Sequence, residues 1–313
     1  MEAGSARVMT RRHIVWRLRD RELLLGERTL IMGVLNVTPD SFSDGGKYLD
    51  PDRAFARAIE IEEQGADIID IGAESTRPGS QRVSEAEELR RLVPVLKRLR
   101  GKLAIPISVD TYKSAVAEKA CEHGAEIIND PSGLTFDPRL ARGVANHDAG
   151  LIVNHMRGTP ETWAKLPPLQ DVMGAIRHDL EASVHRAVGS GVSRTRIAID
   201  PGLGFGKRKE QNAEILARLS ELARLELPIL VGASRKSFLA ALEKTSELLV
   251  ECASAAAVTA AILGGAHLVR VHDVASMHIV AQVADQVLSF ADTSDSSASR
   301  AAPPRSGGLP SRK

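Results

Sequence analysis

Eight times between Leu30 and Val271, a short run rich in Ile, Leu and Val gives way to a longer segment of helical period. No other feature of the chain restricts its fold so tightly. The runs are Leu30–Val37, Asp67–Gly72, Ile105–Asp110, Glu126–Asn129, Leu151–His155, Arg196–Asp200, Ile229–Gly232 and His267–Val271. Most are apolar nearly throughout, as strands are when both faces of their sheet are covered. Between them, apolar residues recur at helical steps: Ala54, Ala58 and Ile61, then Leu89, Leu92, Val93, Leu96 and Leu99. Ser84, three residues before Glu87, marks a helix start with a capping box. Repeated units of this kind build a parallel sheet. Eight of them within residues 30–290 match a single-domain (β/α)8 TIM barrel, which takes about 250 residues. An open doubly wound sheet is the lesser alternative.

Both ends lie outside this repeat. Residues 1–29 contain a predicted β-hairpin, Ile14 to Leu18 and Glu22 to Leu25 on either side of Arg19–Arg21, placed to plug the barrel floor. Residues 291–313 finish in TSDSSASRAAPPRSGGLPSRK, a Ser/Pro/Gly-rich tail expected to be disordered because it has little apolar surface to bury. With 41 Lys plus Arg against 40 Asp plus Glu, the chain has no field to gather nucleic acid or an anionic membrane. Any anion site must therefore be local. The longest apolar run, around Ala253 to Leu263, is broken by Ser254 and Thr259 and is too short to span a bilayer. The N-terminal segment is basic without the apolar stretch of a signal peptide, so a cytoplasmic enzyme is expected. Cys121 and Cys252 fall in Ala-rich helical segments and read as reduced core thiols.

In such a barrel the chemistry collects where strands end. Those ends read Asn36, Glu74, Asp110, Asn129, His155, Asp200, Ser234 with Lys236, and Arg270 with His272. A helix cap would explain Asp110 before Thr111 taken alone, but not polar residues at every strand end. Arg270 and His272, two apart on one strand, share a face. With Lys236 and Arg77 they form a predicted cationic patch suited to phosphate. PGLGFGK (201–207) is not a nucleotide loop: Lys207 stands at the third glycine of the dinucleotide fingerprint, and Pro201 at the first glycine of a P-loop. Phe205 within it is a candidate stacking wall. Two loops, 40–46 and 75–79, are placed to close over substrate. His147, His178 and His185 lack ligand spacing and read as solvated helix residues.

The motifs LNVTPDSFSDGG (35–46), ESTRPGS (74–80), SVDTYK (108–113), INDPSG (128–133), DPGLGFGK (200–207), GASRKS (232–237) and RVHD (270–273) occur in that order. In carrying them, over about Leu30 to Leu288, the chain resembles the dihydropteroate synthase family. The resemblance implies the barrel already inferred, a homodimer, and two small-molecule substrates. These are (7,8-dihydropterin-6-yl)methyl diphosphate and 4-aminobenzoate, condensed to 7,8-dihydropteroate and diphosphate. It implies that Asp110, Asn129, Asp200 and Lys236 hold the pterin. Asn36, Thr76, Arg77, Arg270 and His272 would hold the diphosphate, with Asn36 also reaching Mg²⁺. Phe42, Thr76, Arg77, Pro78, Phe205, Ser234 and Lys236 would surround 4-aminobenzoate. Asp44 would approach the reacting amine and join Asp200, Lys236, Arg270 and His272 as catalytic residues. One departure is Asn154 in VNHMRG, where the family commonly has Met.

These residue types suit the implied chemistry. An arylamine is a poor nucleophile, so the site must chiefly promote departure of diphosphate, in an SN1-like reaction without a covalent enzyme intermediate. Mg²⁺ favours few protein ligands plus phosphate oxygens, which a site offering Asn36 provides. Pterin partners at rigid strand ends and aminobenzoate partners in two loops imply an order, with the pterin diphosphate first, and sulfonamides competing for the second site. Two other readings share part of the pattern. A pterin-binding corrinoid methyltransferase barrel would use Asp110, Asn129 and Asp200 but not the STRPG and SRKS segments or the Arg270/His272 pair. A non-catalytic pterin-binding paralogue would have lost Lys236, Arg270 or the glycine loop.

Overall fold

The computed structural model describes residues 11–38, 50–74, 82–239 and 246–298, with side chains to Phe290. A hairpin of β1 (Ile14–Arg17) and β2 (Glu22–Leu25) precedes the barrel. The barrel strands are β3 (Leu30–Asn36), β4 (Ile68–Gly72), β5 (Ile107–Asp110), β6 (Ile127–Asp130), β7 (Gly150–Asn154), β8 (Ile197–Asp200), β9 (Leu230–Val231) and β10 (Leu268–Val271). All are parallel, in the order β8-β7-β6-β5-β4-β3-β10-β9, and a parallel bridge between Ile199 and Ile229 joins the two edges. The expected closed barrel is what forms, and the open sheet is set aside.

Each strand is followed by a helix: α1 (Pro51–Glu63), α2 (Glu85–Leu99), α3 (Ser114–Glu122), α4 (Leu140–Asn146), α5 (Val172–Gly189), α6 (Lys209–Ala217), α7 (Glu247–Leu263) and α8 (Val274–Ala298). Ser84 does cap α2, accepting from the Glu87 amide at 3.2 Å. The Glu87 side chain, however, binds Arg90 and Arg91, so half of the capping box is absent. α8 runs to Ala298, past the expected boundary at residue 290, and residues 299–313 lie outside the described residues. Cys121 is buried as expected, but Cys252 is exposed, because the Ala-rich α7 turns that face away from the barrel.

The period-2 alternation of each strand sorts side chains into two cores. Outward residues such as Ile31, Leu35, Ile69, Ile71 and Val109 meet helix residues such as Ala58, Ile61, Leu92 and Leu96. On β3 the outward position 33 must be glycine, since a Cβ there would stand 2.6 Å from Ile61 and 2.9 Å from Val274. Inward residues Leu30, Met32, Ile68, Ile127, Ile152, Ala198, Leu230 and Leu268 form the lower lumen with Trp16, Leu18 and Leu25 of the hairpin. The hairpin therefore plugs the floor. Trp16 Nε1 donates to the Arg196 carbonyl at 2.9 Å, and Arg19 Nε to that of His147 at 3.0 Å.

Candidate active site

One inward position above this floor, the same strands turn polar. Ile68 is followed inward by Asp70, Ile127 by Asn129, Ile152 by Asn154, Ala198 by Asp200 and Leu268 by Arg270. These residues meet. Arg270 Nε donates to Asp70 Oδ2 at 2.6 Å and its Nη2 to Asp110 Oδ2 at 2.9 Å. Asn129 Nδ2 donates to Asp70 Oδ2 at 3.3 Å, and Ser108 Oγ to Asp70 Oδ1 at 2.6 Å.

Two inward glycines leave room above them. A Cβ at Gly72 would stand 3.7 Å from Asn36 Oδ1 and 3.7 Å from Asp110 Cβ. A Cβ at Gly232 would stand 3.9 Å from Asp200 Oδ2 and 4.0 Å from both Arg270 Cβ and Lys236 Cε. Asn36, Asp110, Asp200, Lys236 and Arg270 thus border one space. Ser234 Oγ lies 3.1 Å from His272 Nδ1 at its rim.

The electrostatics of this space are tightly compensated. Burial raises Asp110 above the usual carboxylate range, with the neighbouring Asp70 charge adding and Arg270 opposing. Burial likewise raises Asp200, against the Gly202 amide, which donates to its Oδ1 at 2.6 Å, and the Lys236 charge. Lys236 is brought down to about 8 by burial, with Asp200 acting against the shift. Burial works against the Arg270 charge, but Asp70 and Asp110 outweigh it. Within the cationic patch read from the sequence, Arg270 is engaged by two carboxylates, Asp70 and Asp110, a pairing the sequence does not indicate.

The glycine loop after β8 is built around a cation of its own. Lys207 Nζ is buried and donates to the carbonyls of His155 at 2.8 Å and Gly202 at 2.6 Å. Gly202 has a φ of 69°, and a Cβ there would lie 2.0 Å from the His155 carbonyl oxygen, so only glycine fits. Phe205 is held edge-on by Trp163, centroids 5.6 Å apart, with Lys236 Nζ 4.5 Å above its ring.

Most of the expected strand-end residues come together, but two do not. Asn154 faces inward, so His155, one residue on, faces out and its Nε2 donates to Asp179 Oδ2 at 3.1 Å. Burial brings His155 down to about 4. Glu74 turns aside to Lys113 and accepts from the Tyr112 hydroxyl at 2.9 Å. Lys113 also pairs with Glu88. Phe42, Asp44, Thr76, Arg77 and Pro78 lie outside the described residues. Asn154 Nδ2 donates to the Pro131 carbonyl at 2.8 Å, while its buried Oδ1 has no hydrogen-bond partner among the described residues. Sequence reading missed Asp70 and Ser108. Their one signal is inward parity: Asp70 is two before Gly72, and Ser108 two before Asp110.

Comparison with known proteins agrees with this geometry. The family model of pterin binding enzymes matches residues 32–272. A dihydropteroate synthase of Synechocystis sp. is 45% identical over 261 residues, 83% of this chain and 90% of that one. The crystal structure of dihydropteroate synthase from Clostridium difficile in the presence of pteroic acid superposes with a TM-score of 0.79 at 42% identity, covering 84% of this chain and 98% of that one. The Yersinia pestis dihydropteroate synthase in complex with a sulfonamide drug gives 0.80 at 38% identity, covering 90% of this chain and 100% of that one.

Proposed function

This chain belongs to the dihydropteroate synthase family, and from that premise we propose how its own lumen performs the condensation. Its activity is dihydropteroate synthesis in folate biosynthesis, a group transfer. The observation that carries the site reading is the single space bordered by Asp110, Asp200, Lys236 and Arg270 above Gly72 and Gly232.

The pterin lies in that space. The Asp200 carboxylate, Asp110 and Asn129 take its N–H donors, and Lys236 donates to its acceptors. Arg270 and His272 face the diphosphate and take the charge that develops as the C–O bond to the pterin methylene breaks. Negative charge from Asp200 at the far end of the ring supports the electron-poor methylene left behind. The 4-aminobenzoate nitrogen then attacks it and loses its proton. Phe205 and Ser234 border the amine's position, and Phe42, Asp44, Thr76, Arg77 and Pro78 complete it from the two loops. A single amide oxygen, Asn36 Oδ1, opens on the space beside Gly72. That donor fits a magnesium ion whose other ligands are phosphate oxygens and water. Bound there, the ion would neutralise diphosphate charge.

Substrates then add in order, pterin diphosphate before 4-aminobenzoate, and sulfonamides compete with the latter. The test is diphosphate release from the dihydropterin diphosphate with and without 4-aminobenzoate, in the parent and in Asp200→Asn. Release stimulated by 4-aminobenzoate, and reduced about a hundredfold by the substitution, is expected from loss of charged hydrogen bonds. Undiminished release in the variant would overturn the Asp200 role.

The homodimer rests on a surface. On α8, Ile279 (59% exposed), Val283 (57%), Val287 (51%) and Phe290 (69%) recur at helical spacing, and Leu248 (72%) is exposed on α7, which packs against α8. A stripe of this size on a two-helix face suits a second copy of the chain. The dimeric mass in light scattering should fall to the monomer's in Val283→Glu/Val287→Glu. The charge balance and free Cys121 fit work in the cytoplasm.

A further inference from the structure

We propose that Asp70, beneath the substrate space, is a positioning residue that ties the diphosphate half of the first substrate's site to its pterin half. This rests on the reading that Arg270 meets diphosphate and Asn129 meets pterin.

Asp70 is fully buried on β4 and touches no open space itself. Both of its oxygens are occupied: Oδ1 by Ser108 Oγ, Oδ2 by Arg270 Nε and Asn129 Nδ2. A carboxylate accepts only, so each contact dictates the orientation of its donor. Anchoring Arg270 at Nε fixes the plane of the guanidinium and sends Nη2 to Asp110, which leaves Nη1 and the second Nη2 hydrogen for an anion. Anchoring Asn129 through Nδ2 fixes its amide the other way round. Its Oδ1 is then turned from Asp70, and Asn129 offers an acceptor to the ring. One carboxylate thus decides which end of an amide a pterin meets and which edge of a guanidinium a diphosphate meets. Ser108 locks the rotation of that carboxylate from the far side.

Calorimetry with two probes tests this: inorganic diphosphate with Mg²⁺, and the dihydropterin alcohol that lacks diphosphate. Asp70→Asn should weaken both, diphosphate by about tenfold or more. In an Arg270→Met background, Asp70→Asn should change diphosphate affinity by less than about threefold, because the two act as one unit. Its effect on the dihydropterin alcohol should persist there, since Asn129 still depends on Asp70. The double variant removes both members of the Arg270–Asp70 pair, so no cation is left facing a lost carboxylate. Ser108→Ala supplies a milder single variant, with about threefold weaker diphosphate binding that also vanishes beside Arg270→Met. Equal losses for Asp70→Asn with and without Arg270 would mean a merely structural role and overturn the proposal. Unchanged diphosphate affinity in Arg270→Met itself would instead overturn the assignment of Arg270, leaving the Asn129 arm to be read alone.

Discussion

At the floor of the barrel, Ile68, Ile127, Ala198 and Leu268 point inward above Trp16; at the next inward position of the same strands stand Asp70, Asn129, Asp200 and Arg270. Floor and mouth share one backbone and one alternation, yet their side chains do opposite work. The floor gains from burial, at about 25 cal/mol per Å² of apolar surface. The mouth buries polar groups that satisfy one another, and a buried ion pair of that kind contributes little stability. The difference teaches that stability and chemistry are stacked, one layer apart, and should respond separately to substitution.

A crossed pair of variants is the hardest test of that separation. Trp16→Ala, in the floor, should cost about 3–5 kcal/mol in urea unfolding and leave affinity for the dihydropterin diphosphate within about threefold. Asp200→Asn, in the mouth, should leave the melting temperature nearly unchanged while kcat/KM falls about a hundredfold. If Trp16→Ala reduced affinity as much as Asp200→Asn does, the two layers would be one unit.

Acid should then strike both ends through one imidazole each. At the floor, His267 accepts from the Ile229 amide at 3.1 Å, and its other nitrogen reaches the Arg12 carbonyl at 3.0 Å. At the upper end, outside the lumen, His155 Nε2 donates to Asp179 Oδ2 at 3.1 Å. Burial lowers both imidazoles to about 4, from the ordinary 6.5 of an unfolded chain. Between those values the unfolded chain binds more protons, so the stability present above pH 6.5 is lost as pH falls toward 4. Each imidazole contributes roughly 3 kcal/mol to that loss. Unfolding free energies at pH 7 and 4.5 should converge in His155→Gln relative to the parent; an unchanged slope would count against its buried neutral state.

The smallest effect sharpens the comparison inside the mouth. Asn154→Met removes the unpartnered Oδ1 but also the Nδ2 donation to the Pro131 carbonyl; the two oppose, so stability should change by less than about 1 kcal/mol, or under roughly 2–4 °C in melting temperature. Affinity for the dihydropterin alcohol should stay within about threefold. A large loss of affinity would show that this oxygen serves the ring.

Eight strands and the hairpin were legible because their periods are local. Parity was not. A strand buried on both faces reads as one apolar run, so the two-residue step from Asp70 to Gly72 is its one mark, and that step gains a direction only once the neighbouring strands are in place. Nothing in the sequence joins Arg270 to Asp70, which stands 200 residues away in the chain. The exposed stripe of α8 and the exposed Cys252 escaped for a related reason: an Ala- and Val-rich helix carries too weak a polar face to say which side meets the barrel. The motif residues of the two loops were legible as a resemblance, and their geometry lies outside the described residues.

The floor plug also sets an order in time. Its residues are made before the barrel strands, yet Trp16 bonds to a carbonyl 180 residues later and Arg11 to one 255 residues later. At a synthesis rate of about 5–20 residues per second, the hairpin waits on the order of ten to fifty seconds for the strands it seals. Contacts of such separation form late. Until the last strands are made, Trp16, Leu18 and Leu25 lack part of the lumen that covers them in the finished barrel, so the nascent polypeptide carries a greasy segment through that interval.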